Sequence, residues 1–147
     1  MIKKIIYTLT FCLIYQLVLS AGGDSSGSDS DNYLDKYKSG KNLVYRAKKL
    51  EKKGKTEKAM KLYNSAYEKF LEAHKVESRN PDVLNYLGFT LRKTGKYKQA
   101  EKFYLQGLAI KPDHNGINEY LGELYIKTNR IDKAKERLEV LKNCNCE

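Results

Sequence analysis

Residues 81–114 read PDVLNYLGFTLRKTGKYKQAEKFYLQGLAIKPDH, and the 34 residues of that stretch are the period at which the chain repeats itself. Sliding the chain by this length lays Tyr86 on Tyr120, Leu87-Gly88 on Leu121-Gly122 and Ala100 on Ala134. Self-similarity at a fixed period of this size marks a helical solenoid, in which each unit buries its apolar face only by stacking on its neighbours. Within 81–114, Leu84, Leu87 and Leu91 recur on one helical face. Gly95-Lys96 then breaks the pattern, Tyr97, Ala100, Tyr104 and Leu108 resume it, and Pro112 ends it. Small residues at Gly88 and Ala100 let two antiparallel helices approach closely, while the bulky residues around them fill the remaining space.

The same arrangement resembles the tetratricopeptide repeat. That pattern has large apolar residues at positions four, seven and eleven, Gly or Ala at eight, Ala at twenty, an aromatic at twenty-four and Pro at thirty-two. The unit from Asn115 matches it with Leu121, Gly122, Tyr125, Ile131, Ala134, Leu138 and Leu141. It departs at position four, where Asn118 predicts a loosely packed first turn. Upstream, Leu43, Ala47, Leu50, Gly54, Ala59 and Tyr63 fit if Gly40 is position one, with Arg46 a departure at position seven. The end of that unit (Ala66, Phe70, Ala73, Val76) fits only after a shift of seven residues, close to two helical turns. The shift predicts a single long helix from about Thr56 to Glu77. The other helices are expected at 82–94, 97–110, 116–128 and 131–142. The expected fold is all-α: an α-α superhelix of about three helix-turn-helix units (40–80, 81–114 and 115–142), the first with an extended second helix.

Ahead of the repeats, Lys3-Lys4, the mostly apolar run Ile5–Leu19 and the small residues Ser20 to Gly23 form the pattern of a secretory signal peptide. Residues 1–21 are assigned to it, with cleavage after Ser20 or Ala21, which places the mature chain outside the cytoplasm, in a periplasm. The alternative is an uncleaved anchor. The 22–39 stretch, rich in Gly, Ser and Asp, is expected to be a disordered linker, because it carries too little apolar surface to offset its ordering entropy. From Lys36 onward there are 26 Lys and Arg against 14 Asp and Glu. Eleven of those bases fall between Lys36 and Lys61, against only Glu51 and Glu57. Such a patch attracts anionic surfaces, so a weak contact with an anionic membrane is one expectation; export argues against nucleic acid.

The chain offers little for catalysis. His74 and His114 have no Cys, Asp or second His at metal-ligand spacing and read as surface or turn residues. Glu119 and Glu123 stand four apart on one helical face, but no nucleophile or phosphate loop accompanies them. Cys144 and Cys146 in the 143–147 tail are too close for an unstrained bridge. A redox or metal role for them is kept as an alternative, and the main expectation is no enzyme activity, no cofactor and no metal.

The resemblance implies a protein-interaction scaffold whose first helices line a concave groove. Positions two, five, nine and twelve of each unit face it. Here these are Lys41, Val44, Lys48 and Glu51; Asp82, Asn85, Phe89 and Arg92; and Gly116, Glu119, Glu123 and Ile126. The partner-binding set so implied is Lys41, Lys48, Asn85, Phe89, Arg92, Glu119 and Glu123, running from basic to acidic. Asn85 would hold a peptide backbone, Phe89 would anchor an apolar side chain and Arg92 would meet a carboxylate. The partner is a protein or peptide. The rival is a homo-oligomer, because few residues come after Lys142 to cover Ile131, Leu138 and Leu141.

Overall fold

The computed structural model describes residues 26–143, which form six helices in three stacked hairpins: α1 (Ser26–Lys52), α2 (Thr56–Val76), α3 (Pro81–Lys93), α4 (Tyr97–Ile110), α5 (Asn115–Lys127) and α6 (Ile131–Lys142). No strand occurs among these residues. The expected signal peptide, the start of the linker, and Cys144 with Cys146 lie outside the described residues.

The three hairpin turns share one chemistry. At each, a residue in the left-handed region ends the first helix: Gly54 (φ 69°), Gly95 (φ 80°) and Asn129 (φ 59°). The same backbone bond of a helix stop accompanies it each time: Lys55 N–H to Leu50 O, Lys96 N–H to Leu91 O and Arg130 N–H to Tyr125 O, at 3.0, 2.9 and 2.8 Å. Asparagine tolerates this conformation better than other residues with a side chain, which is how the third turn does without glycine.

Between units, polar side chains start the next first helix. Asn80 Oδ1 accepts from the Asp82 and Val83 N–H groups at 3.0 and 3.3 Å, with Pro81 in the first turn where its missing N–H costs nothing. His114, expected as a surface or turn residue, does the same for α5. Its Nδ1 accepts from Ile117 N–H at 3.2 Å and its Nε2 lies 3.1 Å from Asp82 of the preceding unit.

Two expectations need correction. The 22–39 stretch is not disordered over its described part: α1 begins at Ser26. The reason lies in the long α2, whose two additional turns expose an apolar face that something must cover. Tyr33 and Tyr37 supply the cover. Tyr37 meets Phe70 and Tyr86 edge-on at 6.0 and 5.7 Å, the Tyr33 hydroxyl accepts from Asn80 Nδ2 at 2.9 Å, and Lys36 pairs with Glu72 at 2.9 Å. The first turn of α5 is not loose either. Asn118 is fully buried and donates through Nδ2 to the Pro112 and His114 carbonyls at 2.9 and 3.2 Å, while Ile117 fills the apolar place beside it.

Apolar burial forms two adjoining clusters. One gathers Val44, Ala47, Tyr63, Phe70, Leu87 and Phe89 between the first two hairpins; the other gathers Leu91, Tyr104, Ile117, Leu121 and Leu124 between the last two. Gly88 is essential to the contact between α3 and α4, because a Cβ there would lie 2.5 Å from the Tyr104 ring. Gly122 is under no such constraint: a Cβ would meet only Arg137 Cβ at 3.6 Å. The close nesting expected in both hairpins therefore holds in the second and relaxes in the third.

Candidate groove site on the first helices

Helices α1, α3 and α5 come together along one side of the stack, and an aromatic floor runs between them. Phe89 lies 4.9 Å from Tyr120, ring centroid to ring centroid, and meets Tyr63 edge-on at 5.9 Å. Two cations cover this floor. Lys48 Nζ stands 4.7 Å above the Phe89 ring and 5.9 Å from that of Tyr120; the Arg92 guanidinium is 5.5 and 5.3 Å from the same two rings. A cation over an aromatic face gains from the ring's quadrupole while its stem covers apolar surface.

Two clefts open on this face. One, of about 220 Å³, is lined by Lys41, Val44, Tyr45, Lys48, Tyr86, Phe89 and Tyr120. The other, of about 520 Å³, is lined by Glu51, Arg92, Lys93, Tyr97, Glu123, Ile126 and Lys127.

The expected groove residues divide by what they touch. Lys41 and Lys48 are exposed and make no ion pair among the described residues; Lys41 rests over the Tyr37 ring at 5.4 Å. Phe89 is only 3% exposed, so it is the groove floor and a core residue rather than a projecting anchor. Asn85 is also buried, with its amide nitrogen against Gly116 and its Oδ1 without a hydrogen-bond partner among the described residues. Arg92 is already paired, 2.6 Å from Glu123. Glu51 is engaged too, bonded to Lys93 at 2.5 Å and accepting from the Tyr63 hydroxyl at 2.9 Å. Glu119 lines a different cleft, between α5 and α6. The basic-to-acidic gradient read from the sequence is thus partly neutralised from within: Glu51 and Glu123 are held by Lys93 and Arg92, while Lys41, Lys48 and Glu119 make no ion pair among the described residues.

Tyr86, Tyr120 and Tyr45 are absent from the expected groove set. All three line the smaller cleft. The signal available for the first two was their own 34-residue match, which places both on the same face of successive first helices. The Tyr120 hydroxyl is pushed above its ordinary range by burial and by Glu119 and Glu123, with Arg92 opposing, so it is a neutral donor in the groove.

Comparison with known proteins agrees with this architecture. A tetratricopeptide repeat family model matches residues 91–145. The human protein O-mannosyl-transferase TMTC3 is 30% identical over 81 residues, 55% of this chain but 9% of that protein. A TPR repeat-containing protein of Pseudomonas aeruginosa is 36% identical over 61 residues, 42% of this chain and 10% of that one. The chain thus spans about a tenth or less of the length of these relatives. Among solved structures, a mutant of MamA superposes with a TM-score of 0.53 at 12% identity, covering 74% of this chain and 98% of that one, a likeness of fold. A tetratricopeptide repeat family model thus covers residues 91–145, and the same helix-pair architecture runs through the described residues.

Proposed function

We propose that this protein is a non-catalytic scaffold that holds a segment of a partner protein, as a peptide or a helix, against the face formed by α1, α3 and α5. Tetratricopeptide repeats generally mediate protein–protein interaction, and the observation that carries the reading for this chain is the Phe89–Tyr120 floor with Lys48 and Arg92 over it. Because Glu51 and Glu123 are neutralised by Lys93 and Arg92, the charge that lines the smaller cleft is that of Lys41 and Lys48. The segment that complements this surface carries carboxylates beside an apolar or aromatic side chain. The carboxylates meet the lysines, and the apolar group enters the small cleft. Lys3-Lys4 and the apolar run Ile5–Leu19 support delivery of the scaffold to the cell envelope.

The test is a panel of short peptides that vary in charge around one aromatic residue, titrated into isotopically labelled protein. Acidic members should shift the resonances of Lys48, Phe89 and Tyr120. Lys48→Glu should weaken their binding, while Lys102→Glu on the exposed side of α4 should not. Binding that favours basic peptides, or shifts confined to α4 and α6, would overturn the reading.

A further inference from the structure

The last hairpin leaves an apolar cleft open. In the earlier units the first helix of the next hairpin covers the pair before it: α3 packs on α2, and α5 on α4 and α3. Nothing among the described residues does this for α5 and α6. Helix α6 contributes no buried residue, and Ile126, Ile131 and Leu138 are 62, 46 and 49% exposed. Together with Ala134 and the bare backbone at Gly122 they line a cleft of about 430 Å³ that is almost wholly apolar. Its place in the stack makes it a seat for a helix.

We propose that the helix seated there is α6 of a second copy, running antiparallel in a symmetric dimer. The reason is a row of charges beside the apolar stripe. Asp132, Lys135, Glu139 and Lys142 run along one flank of α6, all exposed, and their signs alternate. Within one chain they pair along the helix, Lys135 with Asp132 at 3.3 Å and Lys142 with Glu139 at 2.7 Å. Read backwards, the row has every sign reversed. Two antiparallel helices lay each flank on the same flank of the partner, so the row meets its own reverse. With both helices centred on Arg137, Asp132 lies opposite the partner's Lys142 and Lys135 opposite the partner's Glu139. Arg137 itself turns back to α5, where it donates to Asn118 Oδ1 at 3.3 Å and lines the α5 side of the cleft. A parallel pair would not bring this flank onto itself. Exposed ion pairs contribute little affinity, so Ile131, Leu138 and Ile126 supply the attraction and the charge row sets the direction. An interface in which the same patch meets itself closes at two copies and does not propagate.

Sedimentation equilibrium of the whole chain, from low to high micromolar concentration, tests this. The expected result is a monomer–dimer equilibrium that Leu138→Lys abolishes. Two charge variants give the decisive arm: one with Lys135→Glu and Lys142→Glu, the other with Asp132→Lys and Glu139→Lys. Each alone should be monomeric, and an equal mixture should regain the dimer mass, with circular dichroism confirming that both stay helical. Four results would each overturn the proposal: a wild-type chain monomeric throughout, self-association unchanged by Leu138→Lys, a mixture that remains monomeric, or assemblies growing beyond two copies.

Discussion

The Arg92 guanidinium is 2.6 Å from the Glu123 carboxylate, its Nε is buried without a hydrogen-bond partner among the described residues, and its Cζ lies 5.5 and 5.3 Å over the Phe89 and Tyr120 rings. The arginine side chain is 15% exposed and the glutamate 48%, so the pair is only half in water. Removing the acid leaves a mostly buried cation with less compensation. Glu123→Ala should cost about 1–2 kcal/mol, between the small effect of a surface pair and the larger one of a buried pair. Urea unfolding measures the loss. The same change releases Arg92 toward the groove, so an acidic peptide should bind the variant more tightly than the parent. Equal or weaker binding would mean that Arg92 serves only the packing of α3 on α5.

Gly88 and Gly122 occupy the same repeat position and should respond oppositely to a methyl group. At Gly88 a Cβ would fall 2.5 Å from the Tyr104 ring, and Tyr104 is fully buried with no room to move. Gly88→Ala should therefore destabilise by about 1–3 kcal/mol despite the better helix propensity of alanine. At Gly122 the nearest atom is 3.6 Å away, an ordinary contact. Gly122→Ala should stabilise by up to about 1 kcal/mol through propensity alone. Thermal melts of the two variants decide it, and equal losses at both sites would show the third hairpin to be as tightly nested as the second.

Asn118 holds the junction between the second and third units. Its amide is fully buried, donates to Pro112 and His114 carbonyls, and accepts from Arg137 at 3.3 Å. Asn118→Leu would supply the apolar residue that the repeat pattern asks for, yet it removes the donor to the Pro112 carbonyl and the acceptor for Arg137, leaving the His114 carbonyl to the Ile117 and Asn118 N–H groups. The expected cost is about 1–3 kcal/mol. Faster amide exchange at the start of α5, with α1 and α2 unchanged, would locate the damage; a variant as stable as the parent would contradict the role.

The hairpins were legible because their signals are local. Gly95 or Asn129 at a turn, Pro81 and Pro112 between units, and Ala100 opposite Gly88 are readable from spacing alone. The start of α1 was not, because Ser26 to Asp35 has little helical pattern of its own and is ordered by a distant partner, the extra turns of α2 bearing Phe70. The groove was legible as a list of positions but not as an electrostatic surface. Nothing in the spacing shows that Glu123 reaches Arg92 or that Glu51 reaches Lys93, and those two pairings decide which charges a ligand meets.

Acid should unfold the protein in two stages, for two different reasons. Burial pushes the His74 imidazole below its ordinary 6.5, its Nδ1 enclosed without a partner among the described residues and the ring edge-on to Phe103. The folded state thus keeps His74 neutral while the unfolded chain takes up a proton. Its contribution is complete above about 6.5 and declines as the pH falls below that value. At Glu51 burial opposes ionisation, but hydrogen bonds from Lys93 and Tyr63 outweigh it and hold the carboxyl below its ordinary 4.5. That contribution is present above the unfolded value and is lost as the pH falls through the lower, folded one. Urea midpoints measured from neutral to acid pH should show a first decline that His74→Leu flattens and a second that Glu51→Gln flattens. A first decline unchanged in the His74 variant would mean that the buried imidazole takes its proton without resistance, and that the contact with Phe103 tolerates a charge.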